Sequence, residues 1–388
     1  MLDRLRYPTD PNEMQRRWDV TLAAMDECGI DCLIFSGHDR VCSGPSKYLT
    51  DMIVCNYPHF FLFSKEGIAC WGQGDRGQKL YGAYHEFANV YHSEMLPFMP
   101  AVTYGTSWVP DEMIKQIKHF GFKKIGLLGM YNIPAGLYKY LVENLSNIEF
   151  VDFSDKFDHI KAVKSEYELK IWQDCVDLHD QLFEESLDFI RPGMMEWEIS
   201  HLIRSRAEEL GCLDLNVMLG SDPQIPKLVH FPYQNKKVEK GDYLQLLIEV
   251  AGHGGCWAEV GRVISLGEPS ETMIKACNDQ VIVQSYVADI AKPGVAASDV
   301  FVKMNEMLND MGYLPEKRFA VHGQGYDIVD RPLFVAEETM ILEENMFFAN
   351  HPTVANGKVS LYNCDNFVVK QEGAVKLSST ESKLFVID

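Results

Sequence analysis

The sequence lacks any run of about 18 consecutive apolar residues, the length that a helix needs to cross a membrane. Its first residues, MLDRLRYPTD, also lack the apolar segment of a signal peptide. We therefore expect a cytoplasmic protein without a membrane partner. No CxxC pair or zinc-module spacing occurs among the ten cysteines, so we expect buried thiols rather than disulfides or a zinc module.

Positive charge is scarce. The chain has 36 Lys and Arg residues against 56 Asp and Glu residues, which gives a formal net charge of -20. This charge would repel a nucleic-acid backbone, so we expect no nucleic-acid partner. With 388 residues, of which 46% are hydrophobic, the chain is long and apolar enough for two globular domains.

The pattern of helices and strands changes along the chain. Helices alternate with strands in the first part, which indicates an α/β domain. Ser165 and Glu168 then open a long amphipathic helix with the spacing of a capping box. That helix ends at a Pro-Gly pair, 192–193, and a second helix follows. The same helix pair recurs around the Pro-Gly pair at 293–294, about 100 residues later.

This repeat defines the expected organisation. We predict an α/β domain at residues 1–157 and an α+β domain at residues 158–388 that contains an internal two-fold repeat. A repeated unit of this kind places one site at the centre, between its halves. The site is therefore expected in the second domain, where a small-molecule substrate would bind.

The stretch GDYLQLLIEVAGHGGCWAEVGRVISLG, residues 241–267, predicts two antiparallel strands joined by the turn AGHGG. Glu249 and Glu259 lie on this hairpin among residues that favour a core. Either glutamate is a site residue or faces solvent on the outer side of the sheet. Arg262 is either an ion-pair partner of Glu259 or a substrate ligand.

Polar residues interrupt several other apolar segments. His230, His322 and His351 are candidates for acid–base catalysis, because imidazole titrates near neutral pH. A satisfied structural histidine is the alternative for each of them. Cys364 and Asp365 are further candidates, although Asp365 alternatively caps a turn.

Several landmarks in sequence order resemble the creatinase and aminopeptidase P family. They are YLTD at 48–51 where the family usually has YLTG, DHIKAVKSEYELK from residue 158, RPGMMEWEI, KGDYLQL, HGQG and NHP. The resemblance covers nearly the whole chain. It implies a pita-bread fold for the second domain, a smaller creatinase-like first domain, and a homodimer in which one subunit's first domain reaches the other's site.

The family's metal ligands are altered in this sequence. Its peptidases hold two metal ions with Asp, Asp, His, Glu and Glu. The resemblance places these positions on the residues Ile248, Glu259, His322, His351, and Cys364 or Asn363. A one-residue deletion in the AGHGG turn would move the first position to Glu249. Because carboxylates are replaced, the resemblance implies no normal dinuclear centre, and we expect neither a metal nor another cofactor.

His230 matches the family's substrate-side histidine, since it stands eleven residues before Gly241. Creatinase hydrolyses a C–N bond without metal and keeps this histidine as its acid–base group. Its two substrate-binding glutamates, however, fall on Gly261 and His351 here, which argues against creatine as the substrate.

We therefore expect a metal-independent hydrolase that cleaves a C–N bond in a small amide, amidino or related nitrogen compound. The expected catalytic residues are His230, His322, His351 and Glu259. The expected substrate-binding residues are Arg262, Glu249, Cys364 and Asp365. Two alternatives stay open. One is a mononuclear metal hydrolase or lyase that uses Glu259, His322 and His351 with Cys364 as a fourth ligand, and the other is a non-catalytic binding protein.

Overall fold

The computed structural model describes residues 7–38, 43–52, 58–71, 90–92 and 108–388. The chain divides into two compact units, Met1–Lys161 and Ala162–Asp388. The domain boundary expected from the sequence, after residue 157, falls inside the helix Ser154–Ala162. Across the described ranges, no helix is both long and apolar enough to cross a membrane.

The first unit is built around one mixed sheet. Its elements are α1 (Pro11–Glu27), β1 (Cys32–Gly37), α2 (Gly44–Thr50), β2 (His59–Ser64), β3 (Gly67–Trp71), β4 (Val90–His92), α3 (Trp108–Phe120), β5 (Lys124–Leu127), α4 (Ala135–Asn144), β6 (Glu149–Asp152) and α5 (Ser154–Ala162). The strand order is β4-β3-β2-β1-β5-β6. β1 is buried along its whole length and pairs antiparallel with β2 and parallel with β5. Helices and a partly parallel sheet make this unit α/β, as the sequence predicts.

The YLTD landmark ends α2 in an unusual way. Asp51 has a φ of +60°, in the left-handed region that favours glycine. Its carboxylate is buried and accepts hydrogen bonds from Lys47 Nζ at 2.5 Å and Thr9 Oγ1 at 2.6 Å. These contacts stabilise an aspartate at the position where the resembling family usually has glycine.

The second unit contains the repeated helix pairs and two sheets. Its elements are α6 (Glu166–Phe189), α7 (Glu196–Glu209), β7 (Asp214–Asp222), β8 (Tyr243–Ala251), β9 (Trp257–Leu266), α8 (Glu271–Ile290), α9 (Ala297–Asp310), β10 (Val321–Gly323), β11 (Asp330–Leu333), β12 (Phe347–Asn350), β13 (Val354–Ala355), β14 (Ser360–Leu361), β15 (Asp365–Lys370), β16 (Gly373–Lys376) and β17 (Phe385–Ile387). One sheet has the order β17-β9-β8-β7 and the other β11-β10-β12-β15-β16, beside the short pair β13-β14. This is the α+β architecture that the sequence predicts.

The internal repeat is visible in matching backbone contacts. After α6, the Gly193 N–H donates to the Val238 carbonyl at 2.7 Å, and after α8 the Gly294 N–H donates to the Leu342 carbonyl at 2.8 Å. Both glycines have positive φ, +101° and +86°, which explains why each turn uses a Pro-Gly pair. The predicted two-fold repeat is therefore confirmed.

The two halves meet where β9 contacts the segment before β15. Gly261 and Cys364 form a bridge with two backbone hydrogen bonds, of 3.1 and 2.9 Å. A β-carbon on Gly261 would lie 2.9 Å from the Cys364 Cβ, so only glycine permits this approach. The close contact brings Cys364 onto the face of the hairpin formed by β8 and β9.

Candidate active site

The register of the hairpin decides which residues face the centre of the second unit. Glu249 on β8 stands directly opposite Glu259 on β9, and Ile248 stands opposite Val260. Because successive side chains on a strand alternate between faces, the two glutamates share one face. Ile248 and Val260 lie in the apolar core on the other side. Of the two residues expected for the first metal-ligand position, Ile248 and Glu249, the register favours Glu249, because it shares a face with Glu259.

Two histidines reach Glu259 from the second sheet. His322 lies on β10, and His351 follows β12, which pairs antiparallel with β10. The His322 Nε2 lies 3.2 Å from the Glu259 Oε1 and 3.2 Å from the His351 Nε2. The His351 Nε2 lies 4.0 Å from the same carboxylate oxygen. We call Glu259, His322 and His351 the buried triad, since all three side chains are buried.

The buried triad separates two protonation states. The His322 Nδ1 donates to the Gly323 carbonyl at 2.9 Å, which directs Nε2 toward Glu259. Burial alone would lower the pKa of His322, but the hydrogen bond to Glu259 and its charge outweigh burial and raise this pKa. Burial would likewise raise the pKa of Glu259, yet the two histidines lower it to about 2. Both shifts favour an imidazolium–carboxylate pair of His322 and Glu259.

His351 is the neutral member. Burial lowers the pKa of His351 to about 4, and the charge of Glu259 only partly opposes this shift. Its Nδ1 is buried and has no hydrogen-bond partner within the described residues. A histidine with a lowered pKa thus lies beside one with a raised pKa, which is the arrangement that a base and an acid need for proton transfer.

Glu249 and Cys364 complete the polar face. The Glu249 carboxylate accepts a hydrogen bond from the Asn216 side chain. Burial and the nearby charge of Glu259 raise the pKa of Glu249 to about 8, so it is protonated at neutral pH. Burial also raises the pKa of the Cys364 thiol well above its usual range. Glu259 is the one ionised carboxylate of this face.

Gln324 supports Glu259 from the HGQG landmark. Its Nε2 donates to the Glu259 Oε1 at 3.0 Å, whereas its buried Oε1 has no partner among the described residues. Buried polar atoms without partners are uncommon and mark places where a ligand, water or ion binds. Gln324 lies in the HGQG landmark, whereas the segment of Asn216 carries no landmark, and no sequence spacing pointed to the contact that either residue makes.

Arg262 and Asp365 belong to the opposite face and are fully buried. All N–H groups of the Arg262 guanidinium are used: Nε donates to the Glu381 carbonyl, Nη1 to the Gly261 and Cys364 carbonyls, and Nη2 to the Asp365 carboxylate and the Thr380 carbonyl. No donor is left for a substrate. The expected substrate-binding role of both residues therefore gives way to a structural one.

His230 does not join the buried triad. It is exposed and precedes the short 3-10 turn Phe231–Tyr233. The preceding residue, Val229, forms a bridge with Leu219 on β7, which places His230 beyond the edge of that strand. Its acid–base role stays a prediction.

A cavity of about 550 Å³ is lined by residues of the second unit. Its wall includes Leu228, Gln245, Arg318, Thr353 and Tyr362. The Tyr362 ring is the link to the triad, because its centroid lies 5.3 Å from that of the His351 ring. This volume lies within the usual range for small-molecule sites. Tyr362 lies in the YNCDNF segment. Its contacts with both the cavity and His351 depend on the fold, and no sequence signal predicts them.

The residues at the family's ligand positions fit one metal ion better than two. Ligand atoms of Glu259, His351 and Cys364 lie within 4.8 Å of one another, and His322 adjoins them. A centre with two ions needs several ionised carboxylates to offset their charge, yet Glu249 is protonated at neutral pH and Cys364 is a thiol. One carboxylate, two imidazoles and a thiol fit a single zinc- or iron-type ion.

Comparisons with known proteins agree with this architecture. A model of metallopeptidase family M24 matches residues 170–379. The chain is 22% identical over 281 residues to the uncharacterised peptidase YqhT of Bacillus subtilis, covering 70% of this chain and 77% of that one. It is also 22% identical over 288 residues to an Xaa-Pro dipeptidase of Pyrococcus horikoshii, covering 71% and 80% of the two chains.

Solved structures show the same fold over almost the whole chain. An X-Pro aminopeptidase from Thermotoga maritima superposes with a TM-score of 0.81 at 20% identity, covering 95% of this chain and 99% of that one. An Xaa-Pro dipeptidase from Bacillus anthracis superposes with a TM-score of 0.77 at 21% identity, covering 96% and 100%.

Proposed function

The chain belongs to metallopeptidase family M24, and on that premise we propose that it hydrolyses a C–N bond in a small amide, amidino or related nitrogen compound. The buried triad carries the proposal: Glu259, His322 and His351 lie together, and Tyr362, which lines the cavity, packs against the His351 ring. A hydrolase needs both a proton acceptor and a proton donor near one bond, and the two imidazoles supply them.

In the proposed reaction, His351 accepts a proton from water as the water oxygen attacks the carbon of the C–N bond. His322 donates its Nε2 proton to the leaving nitrogen, and the C–N bond breaks. Glu259 holds His322 in its protonated form between turnovers and fixes the orientation of the ring through the 3.2 Å contact. The water proton and hydroxyl are thus distributed between the two products.

His230 has a separate proposed role. We keep it as an acid–base group on the substrate side, supported by its match to the family's histidine. Its exposure allows it to exchange protons with solvent, which the buried triad cannot do directly. The triad itself is reset when the proton taken up by His351 passes to His322, whose Nε2 lies 3.2 Å from the His351 Nε2, so His230 acts on the substrate alone.

The substrate panel follows from the relatives. Xaa-Pro dipeptidases are named among them, and the bond before proline is a C–N bond. We therefore include Xaa-Pro dipeptides beside N-acyl amino acids, amides and amidino compounds. We also propose a cytoplasmic homodimer with domains 1–157 and 158–388, which the family resemblance supports. We propose no nucleic-acid partner, because the net charge of -20 would repel nucleic acid.

The test combines this panel with metal analysis of the purified protein. We expect release of an amine that persists after chelation and disappears in Glu259→Gln. Stoichiometric metal together with loss of turnover on chelation would contradict metal independence. A third outcome, ligand binding without turnover that is unchanged in Glu259→Gln and His230→Ala, would favour a binding protein.

A one-metal hydrolase is the second candidate. It is favoured by the convergence of ligand atoms from Glu259, His351 and Cys364 within 4.8 Å. These residues and His322 would hold the ion, which would supply Lewis-acid polarisation and an activated water. Elemental analysis that finds one ion per chain, with none in His351→Ala, would establish this candidate.

A further inference from the structure

The cavity that Tyr362 lines has a charge opposite to that of the whole chain. Lys227, Lys317 and Arg318 line it together with one acid, Glu316. The chain as a whole carries a formal charge of -20. An excess of cationic groups in a concave wall creates a local positive potential that attracts anions. The cavity is therefore unsuited to the cationic ligands that the net charge alone would suggest.

Arg318 is held in place before any ligand arrives. Its Nε and Nη2 donate to the Glu316 carboxylate at 3.3 and 3.2 Å, and Nη2 also donates to the Thr353 hydroxyl at 2.7 Å. Its Nη1 makes no hydrogen bond within the described part of the chain. The guanidinium lies over the Tyr362 ring, with Cζ 6.0 Å from the ring centroid. Two donors of a positioned guanidinium thus stay available to a ligand.

Glu316 explains why Arg318 keeps this position. The carboxylate is buried and accepts from the backbone N–H groups of Lys317 and Arg318 at 2.9 and 3.0 Å. These bonds stabilise its ionised form, and the same carboxylate accepts from Arg318. After Glu316 offsets one of the three cations, a net positive charge is left.

Tyr362 connects the positively charged cavity wall with the buried triad. Tyr362 contacts both Arg318 and the His351 ring, and Thr353, the hydroxyl partner of Arg318, lies two residues after His351. We propose that the cavity binds the carboxylate of an anionic substrate, with Arg318 as its main contact and Lys227 and Lys317 as supporting charges. The proposal deepens the proposed function by naming the substrate class: a C–N bond compound that carries a carboxylate a few bonds from the scissile bond.

The test measures binding and not turnover. N-benzoylglycine and N-benzoylglycinamide share one amide and differ only in the carboxylate, so isothermal titration calorimetry of both probes isolates its contribution. We expect the carboxylate probe to bind about tenfold more tightly to the natural protein, as a charge-assisted hydrogen bond does. That preference should disappear in Arg318→Gln and return in part in Arg318→Lys.

Matched controls keep the result interpretable. Lys303→Gln removes one exposed positive charge from α9, outside the cavity wall, and should keep the tenfold preference. Lys317→Gln should reduce the preference by a smaller factor than Arg318→Gln. Equal binding of both probes to the natural protein, or an unchanged preference in Arg318→Gln, would overturn the proposal.

Failure of the proposed function gives a different pattern. Glu259→Gln should abolish turnover and keep the preference for the carboxylate probe, because Arg318 is not altered. Loss of the preference in Glu259→Gln, with Arg318→Gln unaffected, would place the carboxylate at the triad and contradict the assignment to Arg318. If no panel compound is hydrolysed but the preference for N-benzoylglycine stands, the cavity assignment holds and the hydrolase proposal fails.

Discussion

Two buried charged networks lie on opposite faces of the same hairpin and differ in how completely their groups are paired. On one face, Arg262 uses every N–H group, and the Asp365 carboxylate accepts from Arg262, Gln284 and Ser382 and lies 3.1 Å from Lys376 Nζ. On the other face, His351 Nδ1 and Gln324 Oε1 have no partner in the described residues. Fully paired charges hold a structure together, whereas incompletely paired ones leave capacity for a ligand or a reaction.

The same contrast separates neighbouring residues of one segment. Cys364 faces the buried triad and Asp365 faces Arg262, because successive residues of an extended segment point to opposite sides. Both are fully buried, so burial alone does not distinguish a site residue from a structural one. The pairing of each polar group does.

The largest expected effect is on stability. Arg262→Met should lower the free energy of unfolding by about 4 kcal/mol, because it leaves Asp365 and several buried carbonyls without their donor. Chemical denaturation measures this change. Arg206→Met, which removes a surface arginine that is ion-paired with Glu185, should cost less than about 1 kcal/mol. Similar losses for both variants would break the distinction between the two faces.

Removing the triad carboxylate should affect rate instead of stability. Glu259→Gln should reduce turnover of the best panel substrate by about 1000-fold, because His322 loses the charge that keeps it protonated. His322→Gln should give a similar loss, and the double variant should be no worse than either single one, since residues that act as a unit are not additive. Losses that multiply in the double variant would show that the two residues act independently.

His230 allows an exposed acid–base group to be compared with the buried histidines of the triad. His230→Ala should reduce turnover by about 100-fold with an unchanged unfolding midpoint, because the side chain is exposed. His201→Ala, another exposed histidine, on α7, is the matched control and should leave both values unchanged. A full rate in His230→Ala would remove this residue from the mechanism.

Glu249 gives the smallest effect, which depends on pH. Its folded pKa of about 8 lies above the ordinary value of 4.5, so the folded state holds a proton that the unfolded chain releases. Stability should therefore fall as pH rises from about 4.5 to about 8. Glu249→Gln does not titrate, and its stability relative to the natural protein should grow by on the order of 2 kcal/mol between pH 5 and pH 7.

Denaturant titrations at both pH values check this prediction. The surface change Glu268→Gln should show no such pH-dependent gain, since Glu268 is exposed. A gain for Glu249→Gln that shrinks as pH rises would mean that Glu249 is ionised in the folded protein. In that case the site would hold two carboxylate charges and the argument against a paired metal centre would be lost.

Much of the fold could be predicted from the sequence, because its signals are local. The Pro-Gly pairs at 192–193 and 293–294 need positive φ at their glycines, and the capping box at Ser165 requires only nearby residues. The α+β class, the repeat and the hairpin follow from such patterns. The family landmarks extended these predictions to the pita-bread fold.

The parts that escaped prediction depend on contacts between distant segments. Whether Ile248 or Glu249 faces the site is set by the pairing register across the turn, and a shift of one residue exchanges the two faces. Arg262 and Asp365 are 103 positions apart in the sequence. No local sequence pattern therefore predicts the ion pair that they form. The position of Tyr362 between cavity and triad depends on the fold for the same reason.

The protonation states of His322 and His351 test the central claim most directly. Nitrogen-15 NMR of the imidazoles reports the charge of each ring, with the metal content of the same sample measured alongside. We predict that His322 keeps its proton above pH 6.5, the ordinary pKa of histidine, and that His351 stays neutral down to about pH 4. Two rings that titrate together near pH 6.5, or a neutral His322 at pH 6, would contradict the buried triad as an acid–base centre.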